Sequence, residues 1–424
     1  MLIQGGRLVD PSQGIDALRD VRATNGVIVE IGEHLQPGSG EAVIEASGAV
    51  IAPGFIDMHV HLREPGFTQK ETIATGTQAA AQGGFTAVAC MPNTEPALDT
   101  PEVLAQLAAI ATRDARCRLY PIAAITAGRA GMRSVDFAAL ARAGAVAFSD
   151  DGNTVANARV LYDAALQANG VAGVFISHAE DDDLKGDAVM NAGAVAEALR
   201  AIGAPGVSED VIVARDLLIA LDTGKAWHIA HLSTARALEL VRWSRAQGGA
   251  ASCEVTPHHL LLSDETVRER GAGAKVNPPL RTEADARALR EGVRDGSIDV
   301  FATDHAPHTQ EEKSGDLQSA AVGFTGLEIA IGAYALAVPD LPLDRFVALL
   351  STNPARILGV PGGTLRVGSP ADVTIFADLP WVVDPSRFAS KGKSTPFEGR
   401  TLPRRAIATI VGGEIAFSCL RDRL

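Results

Sequence analysis

The chain has 424 residues, 46 % apolar and 21 % charged, the balance of a globular enzyme of two or three domains, or of one large domain with an appendage. Its 38 basic and 51 acidic residues leave a net charge of −13 with no Lys/Arg cluster. This argues against a nucleic-acid partner, and an anionic small substrate would need a local positive pocket. The four cysteines, Cys90, Cys117, Cys253 and Cys419, show no CxxC spacing and read as free core thiols in a reducing compartment. No basic leader with an apolar stretch opens the chain, and no run approaches the ~18 apolar residues of a membrane span. The expected location is the cytoplasm, with no membrane partner.

In chain order, residues 1–53 read as short strands with turns: "MLIQGGRLVD", "DVRATNGVIVEIG" and "AVIEASGAVIAPG" cluster Val and Ile between Gly, Asn-Gly and Pro-Gly punctuation. Residues 54–359 alternate compact apolar strands with alanine-rich amphipathic helices. The strand candidates are "GFIDMHVH", "TAVACMP", "RLYPIAAI", "AVAFS", "VFISH", "WHIAH", "ASCEV" and "DVFAT". Helical patterns between them include 71–84, 101–113, 154–170 and 234–249. Eight such repeats in about 300 residues predict a (β/α)8 barrel rather than an open sheet. The longest spacings, before "WHIAH" and "DVFAT", leave room for extra loops. The C-terminal end returns to the texture of the start in "RVGSPADVTIFAD" and "RAIATIVGGEIAF". The two ends, 1–53 and 360–424, are therefore expected to meet in one small β-domain.

Polar groups recur where these strands end. His59 and His61 alternate onto one face of the first strand. The fourth ends with Asp150 and Asp151, the fifth with His178, the sixth with His231, and the eighth with Asp304, His305 and His308. A lone HxH is a weak signal. Five of eight barrel strands delivering imidazole or carboxylate at the catalytic rim is a strong one. Unpaired in a dry barrel mouth, such groups are costly, and a divalent cation removes that cost by taking both donor types. Imidazole with carboxylate and no thiolate suits Zn²⁺, and Mn²⁺, Co²⁺ or Fe²⁺ accept the same ligands.

This arrangement resembles the amidohydrolase superfamily. The longer motifs "DMHVHLREPGFTQKET", "GGFTAVACMPNTEP", "FSDDG" and "ATDHAPHTQEEK" resemble dihydroorotase, of the type often associated with aspartate transcarbamoylase. The resemblance spans almost the whole chain: "GGTLRVGSPADVTIFAD" is similar to the segment by which these enzymes re-enter a small β-sandwich. It implies a TIM barrel with a β-sandwich built from both terminal segments, and one or two zinc ions, two favoured. His59 and His61 would bind one metal, His178 and His231 the second, and Asp304 would ligate the first and act as acid/base. Relatives bridge the metals with a carboxylated lysine or, with an "SDDG" signature, an aspartate. No lysine stands near the end of strand four, so Asp151 is the expected bridging ligand and Asp150 a supporting carboxylate. The resemblance gives Arg63, Asn93 and His308 to a substrate α-carboxylate, with His61 and Asn277 as further contacts. Main-chain groups of Val322 and Gly323 would touch a pyrimidine ring.

The implied reaction is the reversible cyclisation of N-carbamoyl-L-aspartate to L-dihydroorotate in pyrimidine biosynthesis, with metal-activated water attacking in the hydrolytic direction. The implied partners are the small-molecule substrate, a second copy in a homodimer, and aspartate transcarbamoylase. Rival readings are another cyclic amidase (hydantoinase, dihydropyrimidinase or allantoinase) and a non-catalytic transcarbamoylase scaffold. Plainer readings also stand beside single residues. Arg63 would form a rim salt bridge with Glu64 or Glu71, His258 and His259 would structure a loop, His305 would orient Asp304, and 309–321 would be either a closing loop or an exposed connector.

Overall fold

The first barrel strand is buried at all of its positions, and those after it are mostly so. Burial on both faces is what parallel strands covered by helices require. In the computed structural model, which describes residues 1–419, eight such strands form one parallel sheet. They are β1 (Phe55–Val60), β2 (Phe85–Cys90), β3 (Arg118–Ala123), β4 (Ala147–Phe148), β5 (Val174–Ser177), β6 (Trp227–Ile229), β7 (Ala251–Val255) and β8 (Val300–Phe301). Spatial order follows chain order. The barrel closes where His61 N–H donates to His305 O at 2.8 Å. Asp57 reinforces that seam by accepting from Thr303 N–H at 3.2 Å. The predicted (β/α)8 barrel is thus observed.

Helix starts are set by caps. Thr72, Thr100 before Pro101, Asn157 and Thr234 each accept from a first-turn N–H and open Ile73–Gln82, Pro101–Asp114, Ala158–Gln167 and Ala235–Ala246. The pattern over 154–170 predicts a longer helix than forms. Thr154 Oγ1 instead donates to His178 O at 2.7 Å, tying that stretch to the end of β5. The long β5-to-β6 and β7-to-β8 spacings hold extra short helices, Asp182–Lys185 and Ala194–Leu199 in the first, Pro257–Leu261 and Glu265–Arg270 in the second.

The ends of the chain do meet. Val373–Ala377 runs antiparallel to both Val50–Pro53 and Arg405–Val411 in a six-stranded sheet that also holds Arg7–Asp10, Ile15–Leu18 and Glu414–Ser418. A four-stranded sheet of Leu2–Gln4, Asp20–Thr24, Val27–Gly32 and Val43–Glu45 shares its core through Ile3, Val21, Ile51, Val373 and Ile407. "MLIQGGRLVD" is not one strand: it breaks at Gly5, whose φ of 75° is left-handed, and its halves enter different sheets. Residues 379–404 leave the sandwich, and Phe388, Phe397 and Leu402 pack with Val276, Leu280 and Phe324 of the barrel. Residues 420–424 of the C-terminal segment lie outside the described residues. Among the described residues, no helix is long and apolar enough to cross a membrane.

Candidate metal centre

Side chains from five strand ends converge at one mouth of the barrel. Asp151, three residues past β4, is the hub. Its carboxylate lies 3.3 Å from His59 Nε2, 3.5 Å from His61 Nε2, 3.6 Å from His178 Nδ1 and 3.7 Å from His231 Nε2. Two groups of ligand atoms result, His59–His61–Asp151 and Asp151–His178–His231, each within 4.8 Å and sharing Asp151. Asp304 stands beside the first group, 3.0 Å from His61 Nε2 and 3.6 Å from His59 Nε2. His59 and Asp151 are only 0 % and 2 % exposed. His59 Nε2 and Asp151 Oδ1 have no hydrogen-bond partner, a large penalty in a buried site unless a cation lies between them. The donor set and these orphaned atoms fit a divalent cation.

The outer nitrogens of three of the imidazoles are held. His59 Nδ1 meets Glu254 Oε1 at 2.6 Å, His61 Nδ1 meets Asn93 Oδ1 at 2.9 Å, and His178 Nε2 meets Glu180 Oε2 at 3.0 Å. Each contact gives the outer nitrogen an acceptor for its proton and turns the inner nitrogen toward Asp151, the usual support of a metal-bound histidine. Glu254 also reaches His228 Nε2 at 3.1 Å and the His231 N–H at 3.2 Å, so it braces residues of both groups. Burial raises the pKa of Asp151 and Asp304, but the surrounding imidazoles outweigh it and hold both carboxyls well below the usual range. Burial lowers the pKa of His178, yet Asp151 and Glu180 bring it up to about 9.

Beside the ligands lies a cavity of 350 Å³ that includes Arg63, Asn93, Asn277, His308, Val322 and Gly323 in its lining. Arg63 turns inward: Nε–H donates to Pro307 O at 3.2 Å, and Nη2 lies 3.3 Å from His308 Nε2. Burial lowers its pKa to about 10, so it stays cationic. Its ordered partners here are not Glu64 or Glu71. His308 also meets Val322 O at 2.8 Å, and Gly323 N–H donates to Lys275 O at 3.0 Å. Burial and the charge of Arg63 push the His308 pKa down to about 4, leaving it neutral.

Other expectations resolve plainly. Asp150 accepts from the Ile125 and Thr126 amides at 2.8 and 3.0 Å, a supporting role for the β3 loop. His258 and His259 sit on the short helix Pro257–Leu261 rather than in a loop; His259 joins Thr256 Oγ1 and Pro278 O, and His258 packs on Phe324. His305 does not orient Asp304; its ring faces Glu71 and Gly326 N. Residues 309–313 begin with a capped turn, and Lys275 and Lys313 tie 318–321 down through backbone carbonyls. Glu254, Glu180 and Arg129 were absent from the sequence reading. Arg129 Nη2 donates to Asp151 O at 2.7 Å. It shares a left-handed backbone with three residues singled out from sequence: φ is 61° at Arg63, 56° at Arg129, 31° at His231 and 48° at Asp304. For non-glycine residues this is strained and gathers at functional sites.

Residues 48–237 match the Dihydro-orotase-like family. Among curated proteins, the chain is 48 % identical to the dihydroorotase of Pelotomaculum thermopropionicum, covering 100 % of this chain and 99 % of that one. It is 43 % identical to the dihydroorotase of Citrifermentans bemidjiense, covering 98 % and 99 %. Among solved structures, an L-hydantoinase from Arthrobacter aurescens superposes with a TM-score of 0.88 at 24 % identity, covering 98 % and 96 %. That likeness concerns the barrel and its β-domain, whereas the full-length sequence matches carry the narrower statement. The chain belongs to the dihydroorotase family.

Proposed function

We propose that the protein is a zinc-dependent dihydroorotase that opens L-dihydroorotate to N-carbamoyl-L-aspartate and closes it again. The observation that carries this reading is the Asp151 carboxylate within 3.7 Å of four buried imidazoles, with Asp304 and Arg63 at the same cavity. His59, His61, Asp151, His178, His231 and Asp304 would hold two zinc ions, one for each of the two groups that share Asp151. In this reading the catalytic barrel spans 54–359, and the sandwich draws on 1–53 and 360–424 apart from the excursion that packs Phe388, Phe397 and Leu402 on the barrel.

When bound, the metal polarises the scissile carbonyl and lowers the pKa of water toward neutrality. The residues do the rest. Asp304 accepts the proton of the attacking water and passes it to the ring nitrogen as the amide bond breaks. In the cyclising direction it removes a proton from the carbamoyl nitrogen as that nitrogen attacks the carbon of the side-chain carboxylic acid. It passes that proton to the hydroxyl oxygen, which leaves as water as its bond to that carbon breaks. Arg63 offers a guanidinium fork to the α-carboxylate, with Asn93 and His308 beside it. Asn277 and the main chain at Val322 and Gly323 border the ring. This is the local positive pocket that a chain of net charge −13 needs for an anionic substrate.

A cytoplasmic setting agrees with four free cysteines, three of them buried. Partners beyond the substrate, a second copy or aspartate transcarbamoylase, are read by light scattering of the protein alone and mixed with the transcarbamoylase. The deciding experiment measures hydrolysis of dihydroorotate, hydantoin and allantoin on one sample whose metals are quantified. Preference for dihydroorotate with zinc bound is the expected result. Preference for hydantoin or allantoin, or no turnover by the zinc-loaded protein, overturns the reading.

A further inference from the structure

Lys185 joins the metal side of the cavity to its substrate side. It ends the short helix Asp182–Lys185 after β5, and its Nζ donates to Glu180 Oε2 at 2.9 Å, the oxygen that also meets His178 Nε2. The same ammonium faces the side chain of Asn277. With the amide oxygen toward Lys185, Oδ1 accepts from Nζ at 2.9 Å and Nδ2 donates to Val276 O at 3.0 Å. The opposite orientation sets N–H groups against an ammonium and a carbonyl against a carbonyl, so the charge on Lys185 selects the first. An amide nitrogen has two N–H groups, and Val276 takes only one. Asn277 lines the cavity, where the second can serve a ligand.

We propose that Lys185 is a positioning residue that locks the Asn277 amide with an N–H toward the bound ring. The pocket then accepts a ring carbonyl oxygen at that point and disfavours a ring N–H, because two donors would face each other without an acceptor. This inference deepens the dihydroorotase reading and rests on it.

The test uses zinc-loaded protein and dihydroorotate, with wild type, Lys185→Met, Lys185→Arg, Asn277→Ala and the Lys185→Met/Asn277→Ala pair. Lys185→Met is expected to raise KM about tenfold while kcat stays within about threefold, the pattern of lost uniform binding. Zinc content should not change, and Lys185→Arg should recover part of KM. Because Lys185 would act through Asn277, the double variant should be no worse than Asn277→Ala alone. An unchanged KM, or additive losses in the pair, overturns the proposal. Loss of zinc and kcat at constant KM also overturns it, assigning Lys185 to the Glu180–His178 brace instead. Should the Met variant melt early, Lys185→Gln is read by the same criteria. A zinc-loaded wild type that leaves dihydroorotate untouched defeats the parent reading itself, whatever the variants do.

Discussion

Glu254 Oε1 sits 2.6 Å from His59 Nδ1, deep in the barrel, while the same carboxylate accepts from the His231 main chain. One fully buried acid therefore steadies residues from both halves of the metal centre. Burial alone would raise its pKa, but His59 and His228 bring it down to about 2, so it is ionised. Replacing it with Gln leaves one acceptor for two imidazole N–H groups. Glu254→Gln is expected to weaken zinc binding by about 10- to 100-fold, measured by competition with a chelator. Wild-type affinity would show that the brace does not matter.

Under the proposed mechanism Asp304, which lines the cavity 3.0 Å from His61 Nε2, carries the proton as acid/base. Asp304→Asn should lower turnover by about 10³-fold in both directions. Near-normal rates in either direction would remove it from proton transfer.

Arg63 is turned toward the cavity, so Arg63→Ala should act mainly on binding. A charge-assisted contact of about 1.5–3 kcal/mol corresponds to a KM rise of roughly 10- to 100-fold. Unchanged kinetics with dihydroorotate would return Arg63 to a structural role.

Zinc uptake should depend on pH through His178, whose pKa is about 9 in the metal-free cluster. Below that value a proton occupies the imidazole and competes with the metal for Nδ1. Apparent affinity is thus expected to rise as pH increases toward 9 and to fall in acid. Calorimetry at neutral pH in buffers of different ionisation heat should show proton release. A heat independent of the buffer would contradict this.

If Asp151 takes the bridging position, as proposed, reconstitution with zinc should need no bicarbonate. Intact mass spectrometry should show no carbon dioxide adduct on any lysine, and finding one at the centre would overturn the assignment of the bridge.

The converging residues were legible in sequence because barrel chemistry collects at strand ends, and HxH, "SDDG" and "DHAPH" mark those ends. Their supports were harder to see. Glu254 lies inside "ASCEV", where a single charge within a buried strand was the available signal. Glu180 opens the run Glu180–Asp183, which reads as a solvated acidic stretch, and only the fold shows that its first member is buried against His178. Arg129 follows β3 in a loop with no motif at all, and its contact with Asp151 depends on how two connections pack. Strand and helix lengths were over-read where side chains redirected the backbone, as Thr154 does beside His178.

The four left-handed residues around the cavity have a bearing on engineering. Each non-glycine residue in that region stores on the order of 1–3 kcal/mol. Glycine would release part of that at His231 or Asp304 while deleting a proposed ligand or the proposed proton carrier. Relief of strain at these very positions would therefore yield inert proteins, and a hardier working catalyst has to be sought elsewhere in the chain.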